Sequence, residues 1–212
     1  MMLNRRKLLQ FGLGSLVLAG CSGRAGSAPR DAIAPTPQID DDEELPPVPA
    51  TCAAVATADN IEGPFYKRGA PNRSVLVAPG DAGERLALGG RVLSTSCEPI
   101  GDAVLDIWQA DARGGYDLDG FRFRGALTTD AQGRWQLRTI VPGRYLNGNR
   151  YRPAHLHVKL RAKGYRPLTT QLYFDGDPYN EGDDFIVSSL IMATRKERDA
   201  RVASFDFALA PA

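Results

Sequence analysis

The sequence predicts an all-β domain, an antiparallel β-sandwich with long site-forming loops, preceded by a signal segment and a disordered tether. Glycine and proline are plentiful, at 22 and 15 of 212 residues, so turns are frequent. Short runs of strand-forming residues recur at close spacing and are bounded by turn residues. Long helical patterns are scarce, and no internal repeat is present. Taken in order, Arg85 to Leu93 is one strand, and Val104 to Gln109 is another, with Val104, Asp106 and Trp108 on one face. Phe121 to Thr128 and Trp135 to Ile140 flank Asp130-Ala131-Gln132-Gly133, a hairpin signal. His155 to Arg161 and Thr169 to Phe174 follow, and Ser204 to Leu209 closes the fold. Helix is expected only in a short piece around Arg195 to Arg201.

The chain divides at about residues 20 and 50. Arg5-Arg6-Lys7 precedes an apolar stretch from Leu8 to Gly20, too short to span a bilayer comfortably. Leu18-Ala19-Gly20-Cys21 resembles a bacterial lipobox, which makes residues 1–20 a signal peptide and Cys21 a lipidated first residue. Asn4-Arg5-Arg6-Lys7-Leu8-Leu9 also resembles a twin-arginine signal, and the export route stays open between that and the general secretory one. Residues 21–50 are rich in Ala, Pro and acid, including Asp40 to Glu44, and read as a solvated linker. Residues 51–212 form the folded domain. The expected location is therefore periplasmic or outer-membrane-anchored, with membrane contact only through the lipid on Cys21.

Lysine and arginine number 26 against 25 acids, and loss of the three basic residues of the signal leaves 23 against 25. A charge near −2 gives no electrostatic reason to expect a nucleic-acid partner. Cys52 and Cys97 lack metal-ligand spacing with each other. In an oxidising compartment they are expected to form one disulfide; two separate buried thiols are the alternative.

The only two histidines sit two apart in Arg152-Pro153-Ala154-His155-Leu156-His157-Val158. On a strand, positions i and i+2 share a face. Leu156, Val158 and Leu160 then point into the core, and both imidazoles are presented side by side. Taken alone, the spacing fits hydrogen-bonded or surface histidines as well as metal ligands. Further ligands must come from elsewhere. Tyr116 follows Gly114-Gly115, and Tyr145 follows Pro142-Gly143-Arg144; loops of this kind can carry a phenol onto a metal held by a rigid strand. Either tyrosine by itself equally suits a half-buried aromatic bonded to backbone.

Five segments in order resemble the intradiol ring-cleavage dioxygenases, and within them protocatechuate 3,4-dioxygenase-type subunits. They are Asn60-Ile61-Glu62-Gly63-Pro64-Phe65-Tyr66, Leu105 to Asp111 leading to Tyr116, Pro142 to Tyr145, Arg152 to His157, and Gln171 to Asp177. The resemblance implies a ferric ion, Fe(III), held by Tyr116, Tyr145, His155 and His157. Tyr145 and His157 would be its axial pair, with Tyr116 and His155 equatorial. It also implies three catalytic assignments: Tyr145 as ligand and internal base, Arg152 as a fixed charge facing the anionic intermediate, and Gln171 as a polar residue near the reacting ring. Arg150 is a neighbouring alternative to Arg152. The substrates implied are a small aromatic diol and O2, giving a muconate-type diacid. The Tyr145–His155 stretch is shorter than in familiar members, and the amino-terminal helical region that catechol 1,2-dioxygenases use to dimerise is not recognisable. The preferred catechol and the oligomeric state, including a homo-oligomer, stay open.

The chemistry of the donors agrees with that ion. A free phenol has a pKa of about 10 and ligates at neutral pH only when the metal drives off its proton. A trivalent cation does this better than a divalent one, and phenolate is a hard donor suited to Fe(III). Two rival readings fit the same features less completely. One is a non-catalytic, lipid-anchored β-sandwich binding module. The other is a zinc or copper site on the same scaffold.

Overall fold

The computed structural model describes Cys52 and residues 54–212. The signal peptide, Cys21 and the linker lie outside the described residues. Strands β1 (Arg85–Ser94), β2 (Val104–Gln109), β3 (Arg124–Thr128), β4 (Arg134–Ile140), β5 (Tyr145–Asn147) and β6 (Arg150–Arg152) come first. Next are β7 (His155–Arg161), β8 (Leu168–Phe174), a single 3-10 turn (Ser188–Leu190), β9 (Ile191–Met192), β10 (Thr194–Glu197), β11 (Ala200–Ser204) and β12 (Phe207–Leu209). One sheet has the order β10-β11-β1-β12, with β4 also on β1; the second runs β3-β2-β7-β8-β9; β5 and β6 form a separate ribbon. The sandwich is as expected, antiparallel through its central ladders, with β1 parallel to β11 and β12 and β8 parallel to β9.

Alternation builds the core. Leu86 and Leu88 of β1 and Leu137 of β4 bury against Leu105, Ile107, Leu156, Val158 and Leu160 of the second sheet. Removing such side chains from water is the main stabilising term, worth roughly 1.5–3 kcal/mol each. The opposite face of the second sheet carries a row of registered polar and aromatic residues, Arg124–Trp108–His157–Gln171. Such a row would be solvated in an open sandwich; here an arm formed by residues 57–66 lies over it. Thr57 N–H donates to Ala208 O at 2.9 Å and Asn60 N–H to Thr169 O at 2.8 Å. Cys52 and Cys97 are joined as a disulfide, with their Cα atoms 5.6 Å apart.

Three expectations are corrected. Residues 195–201 are not helical: β10 and β11 form an antiparallel hairpin turning at Arg198, whose φ is 49°. The run Arg195-Lys196-Glu197-Arg198-Asp199 has no apolar stripe for a helix to bury, whereas Val202 and Ala203 bury against β1 as a strand. The Asp130–Gly133 turn forms, with Gly133 N–H donating to Asp130 O at 2.9 Å. Its flanking strands, however, do not pair: β3 joins β2 and β4 joins β1. Both strands bury one face in the same core from opposite sheets. Finally, Ser204 to Leu209 is broken at Phe205–Asp206, where Asp206 Oδ1 accepts Arg91 N–H at 2.8 Å in place of a ladder bond.

Candidate metal centre

β7 supplies the rigid half of the site. His155 and His157 are both buried, and their Nε2 atoms lie 3.2 Å apart. His155 Nδ1 sits 2.7 Å from Pro153 O, so Nδ1 carries the proton and Nε2 offers its lone pair. Trp108 stacks on the His157 ring at 4.7 Å and 6°. An added Cβ on Gly63, in the arm, would come within 3.3 Å of His157 Cε1, so the ring is enclosed on this side too. Burial, with the nearby Arg152 charge, lowers His155 to about 4. Burial and then His155 hold His157 well below the ordinary histidine value. Both imidazoles are therefore neutral at pH 7, the state that ligates metals.

Loops supply the phenols. After β2, Asp111 Oδ1 accepts the N–H groups of Arg113 and Gly115, both at 2.9 Å, shaping the turn that leads to Tyr116. Before β5, Gly143 N–H donates to Asp111 O at 2.8 Å. The two loops touch where side chains are missing. A Cβ on Gly114 (φ +87) would sit 2.3 Å from Arg144 O, and one on Gly143 would sit 2.4 Å from Gly114 N. This contact brings Tyr116 and Tyr145 to a ring separation of 5.8 Å. Tyr116 OH lies 3.4 Å from His155 Nε2, and the Tyr145 ring lies 5.8 Å from the His155 ring. Phe65 of the arm stacks on Tyr116 at 4.3 Å and meets Tyr145 edge-on at 5.5 Å. Burial first, and then Tyr145, push the Tyr116 phenol far above its usual value. Without a cation, Tyr116 stays protonated.

All four predicted ligand residues thus meet at one place. Among the described residues, no group of three or more His, Cys, Asp and Glu side chains could hold a metal, so the phenols are needed to complete a donor set. The donors fit an ion. Ligands at roughly 2.0–2.2 Å from a metal stand about 3 Å from one another, comparable with the 3.2 and 3.4 Å separations seen here. Among the described residues His157 Nδ1 has no hydrogen-bond partner, so a cation taking the lone pair of Nε2 would leave the His157 proton on Nδ1 and both Nε2 atoms free to ligate.

Arg152 is buried beside this centre, whereas Arg150 is exposed. Arg152 Nε pairs with Asp183, and its Nη2 donates to Gln171 Oε1 at 3.0 Å and to Tyr173 OH at 3.2 Å. Gln171 Nε2 donates to Ile61 O at 2.8 Å. Both ends of Gln171 are thus committed to protein groups, and what it touches is Arg152 rather than open space. Burial pushes Tyr173 up to about 12. Sequence reasoning passed over Phe65, Tyr173, Asp177 and Asp183. Phe65, Tyr173 and Asp177 lay within the quoted segments, and the parity of Tyr173 with Gln171 on β8 was a usable signal. Asp183 carried none.

A family model described as "Dioxygenase" matches residues 61–211. The chlorocatechol 1,2-dioxygenase of Rhodococcus opacus is 33% identical over 168 residues, covering 66% of this chain and 65% of that one. The chain belongs to the intradiol ring-cleavage dioxygenase family. Catechol 1,2-dioxygenase 2 of Acinetobacter lwoffii is 34% identical, covering 66% of this chain and 60% of its own. This intradiol family member therefore spans just under two thirds of the length of these curated relatives. Among solved structures, the dioxygenase domain of a dioxygenase–carbohydrate-binding protein fusion from Streptomyces sp. SirexAA-E is 43% identical with a TM-score of 0.70; the match covers 74% of this chain and all of that one. The 3-chlorocatechol 1,2-dioxygenase of Rhodococcus opacus 1CP is 32% identical with a TM-score of 0.70, covering 74% and 73%. The Rhodococcus and Acinetobacter relatives are named for chlorocatechol and catechol rather than for protocatechuate, the subtype that the sequence motifs resemble.

Proposed function

We propose that this protein is a non-haem Fe(III) dioxygenase that opens a catechol-type ring between its two hydroxylated carbons, giving a muconate-type diacid. The observation that carries the reading is the meeting of two neutral imidazoles with two loop-borne phenols. Tyr116, Tyr145, His155 and His157 would hold the ion. Ferric iron there would act as a Lewis acid, drawing protons from the catechol hydroxyls and making the ring reactive toward dioxygen. Tyr145, at the start of the exposed β5–β6 hairpin, would take a catechol proton at its oxygen. Arg152 stays charged at all working pH values, and its network fixes its position, so it would face negative charge developing on the ring without reorganising. Phe65 and Trp108 close the walls against water.

The test is iron analysis and visible absorbance of the purified protein, followed by dioxygen uptake with a panel of catechols and product identification. The reading expects stoichiometric iron, a red-brown tyrosinate band and a cis,cis-muconate-type product. A colourless protein holding zinc or copper, or a yellow extradiol aldehyde, overturns it.

We propose also that the chain is exported and anchored by lipid on Cys21. The Leu18-to-Cys21 motif supports this, as does the Cys52–Cys97 disulfide, which suits an oxidising compartment. Cys21→Ala should move the protein from the membrane to the soluble fraction. Retention in the membrane fraction would count against the anchor.

A further inference from the structure

Tyr145 and Arg152 begin and end one small hairpin. Among the described residues β5 and β6 pair only with each other, and residues 146–151 are exposed. The side chains that hold it reach into the loop between β8 and the 3-10 turn. Arg144, the residue before Tyr145, donates from Nε to both carboxylate oxygens of Asp177, at 3.1 and 3.0 Å. At the far end, Arg152 pairs with Asp183 and lies 4.7 Å over the Phe185 ring. Tyr151 meets Tyr179 at 5.5 Å. Asp177 is buried and does more. Its Oδ2 accepts Ala154 N–H at 3.1 Å, next to His155, and its Oδ1 accepts Tyr179 N–H at 3.0 Å. One carboxylate therefore touches the residue before each of two site residues, one on a loop and one on the rigid strand. Only a carboxylate can do this, because both oxygens must accept; an amide would turn an NH2 toward a donor.

We propose that Asp177 is a positioning residue that, with Asp183, latches the β5–β6 hairpin and so sets Tyr145 over the imidazole pair. The inference rests on the reading of Tyr145 as ligand and proton acceptor. The Arg144 side chain is 44% exposed, so the ion pair adds little to global stability. What the latch controls is place.

The test uses the iron-loaded full chain carrying Asp177→Asn, Arg144→Gln, or both. Each single variant should expose the hairpin to chymotrypsin after Leu146 or Tyr151. Each should also weaken the tyrosinate band and lower kcat roughly tenfold to a hundredfold, with a smaller change in KM. The double variant should be no worse than the worse single. Wild-type proteolysis and absorbance in both singles, or additive effects in the double, overturn the proposal. Should Asp177→Asn fail to fold, the surface variant Arg144→Gln decides alone by the same readouts. A wild-type protein that turns over no catechol, while both variants free the hairpin, keeps the latch and removes the dioxygenase reading.

Discussion

Tyr116 is the side chain whose chemistry depends most on a cation, because its buried phenol resists ionisation and its hydroxyl already points at His155 Nε2. Tyr116→Phe should therefore cost at least ~10–100-fold in iron affinity and most of the visible band, measured by titration with a competing chelator. Unaltered absorbance would remove Tyr116 from the ligand set. Gln171 makes the opposite case. Its amide joins Ile61 O to Arg152 and Tyr173, and truncation takes one acceptor from a buried network in which Arg152 keeps Asp183 and Tyr173 keeps Phe185 O. Gln171→Ala should lower stability by about 1–3 kcal/mol while leaving iron content and colour intact, as urea unfolding and metal analysis would show. The four candidate ligands could be picked out because ordered family motifs carry them; the His-x-His spacing and the glycine-preceded tyrosines alone left surface or backbone-bonded roles open. The Asp183 partner of Arg152 could not, because nothing near residue 183 marks the contact.

At the scale of elements, β2 and β7 fall where alternation places them, since their apolar residues face one core. The arm of residues 57–66 has no such period. Its value lies in distant contacts, with Thr57 on β12 and Tyr66 on β2, which no local pattern encodes. The Gly114–Gly143 contact is an element-scale device whose glycines were visible but whose meeting was not. Gly143→Ala should drive the tyrosine loops apart, costing about 1–3 kcal/mol through overpacking and dimming the tyrosinate band; a variant with native stability and colour would contradict the close approach. Asp106 on β2 offers a pH test. Its carboxyl is buried, which raises its pKa, and it accepts Tyr66 OH at 2.9 Å. The folded state therefore holds this proton more tightly than the unfolded chain, and stability is lost as pH rises past the ordinary carboxylate range, about 3.9. Asp106→Asn keeps an acceptor and removes the charge. Its Tm should exceed that of wild type at pH 7–8, with the gain shrinking toward pH 4.

For the molecule as a whole, the disulfide closes a span of 45 residues that includes the arm and all of β1. Reduction should lower stability by about 2–4 kcal/mol, seen as a fall in Tm with added dithiothreitol. Unchanged melting would show that the bridge is not formed in solution. The bridge also fixes how mechanical load enters the domain. A pull transmitted along the chain to Cys52 passes straight through sulfur to Cys97, at the end of β1, and is carried by the sheet. The slender stretch that walls in His157 lies off that line, so a domain tugged from its amino-terminal side can strain without uncovering its reactive interior.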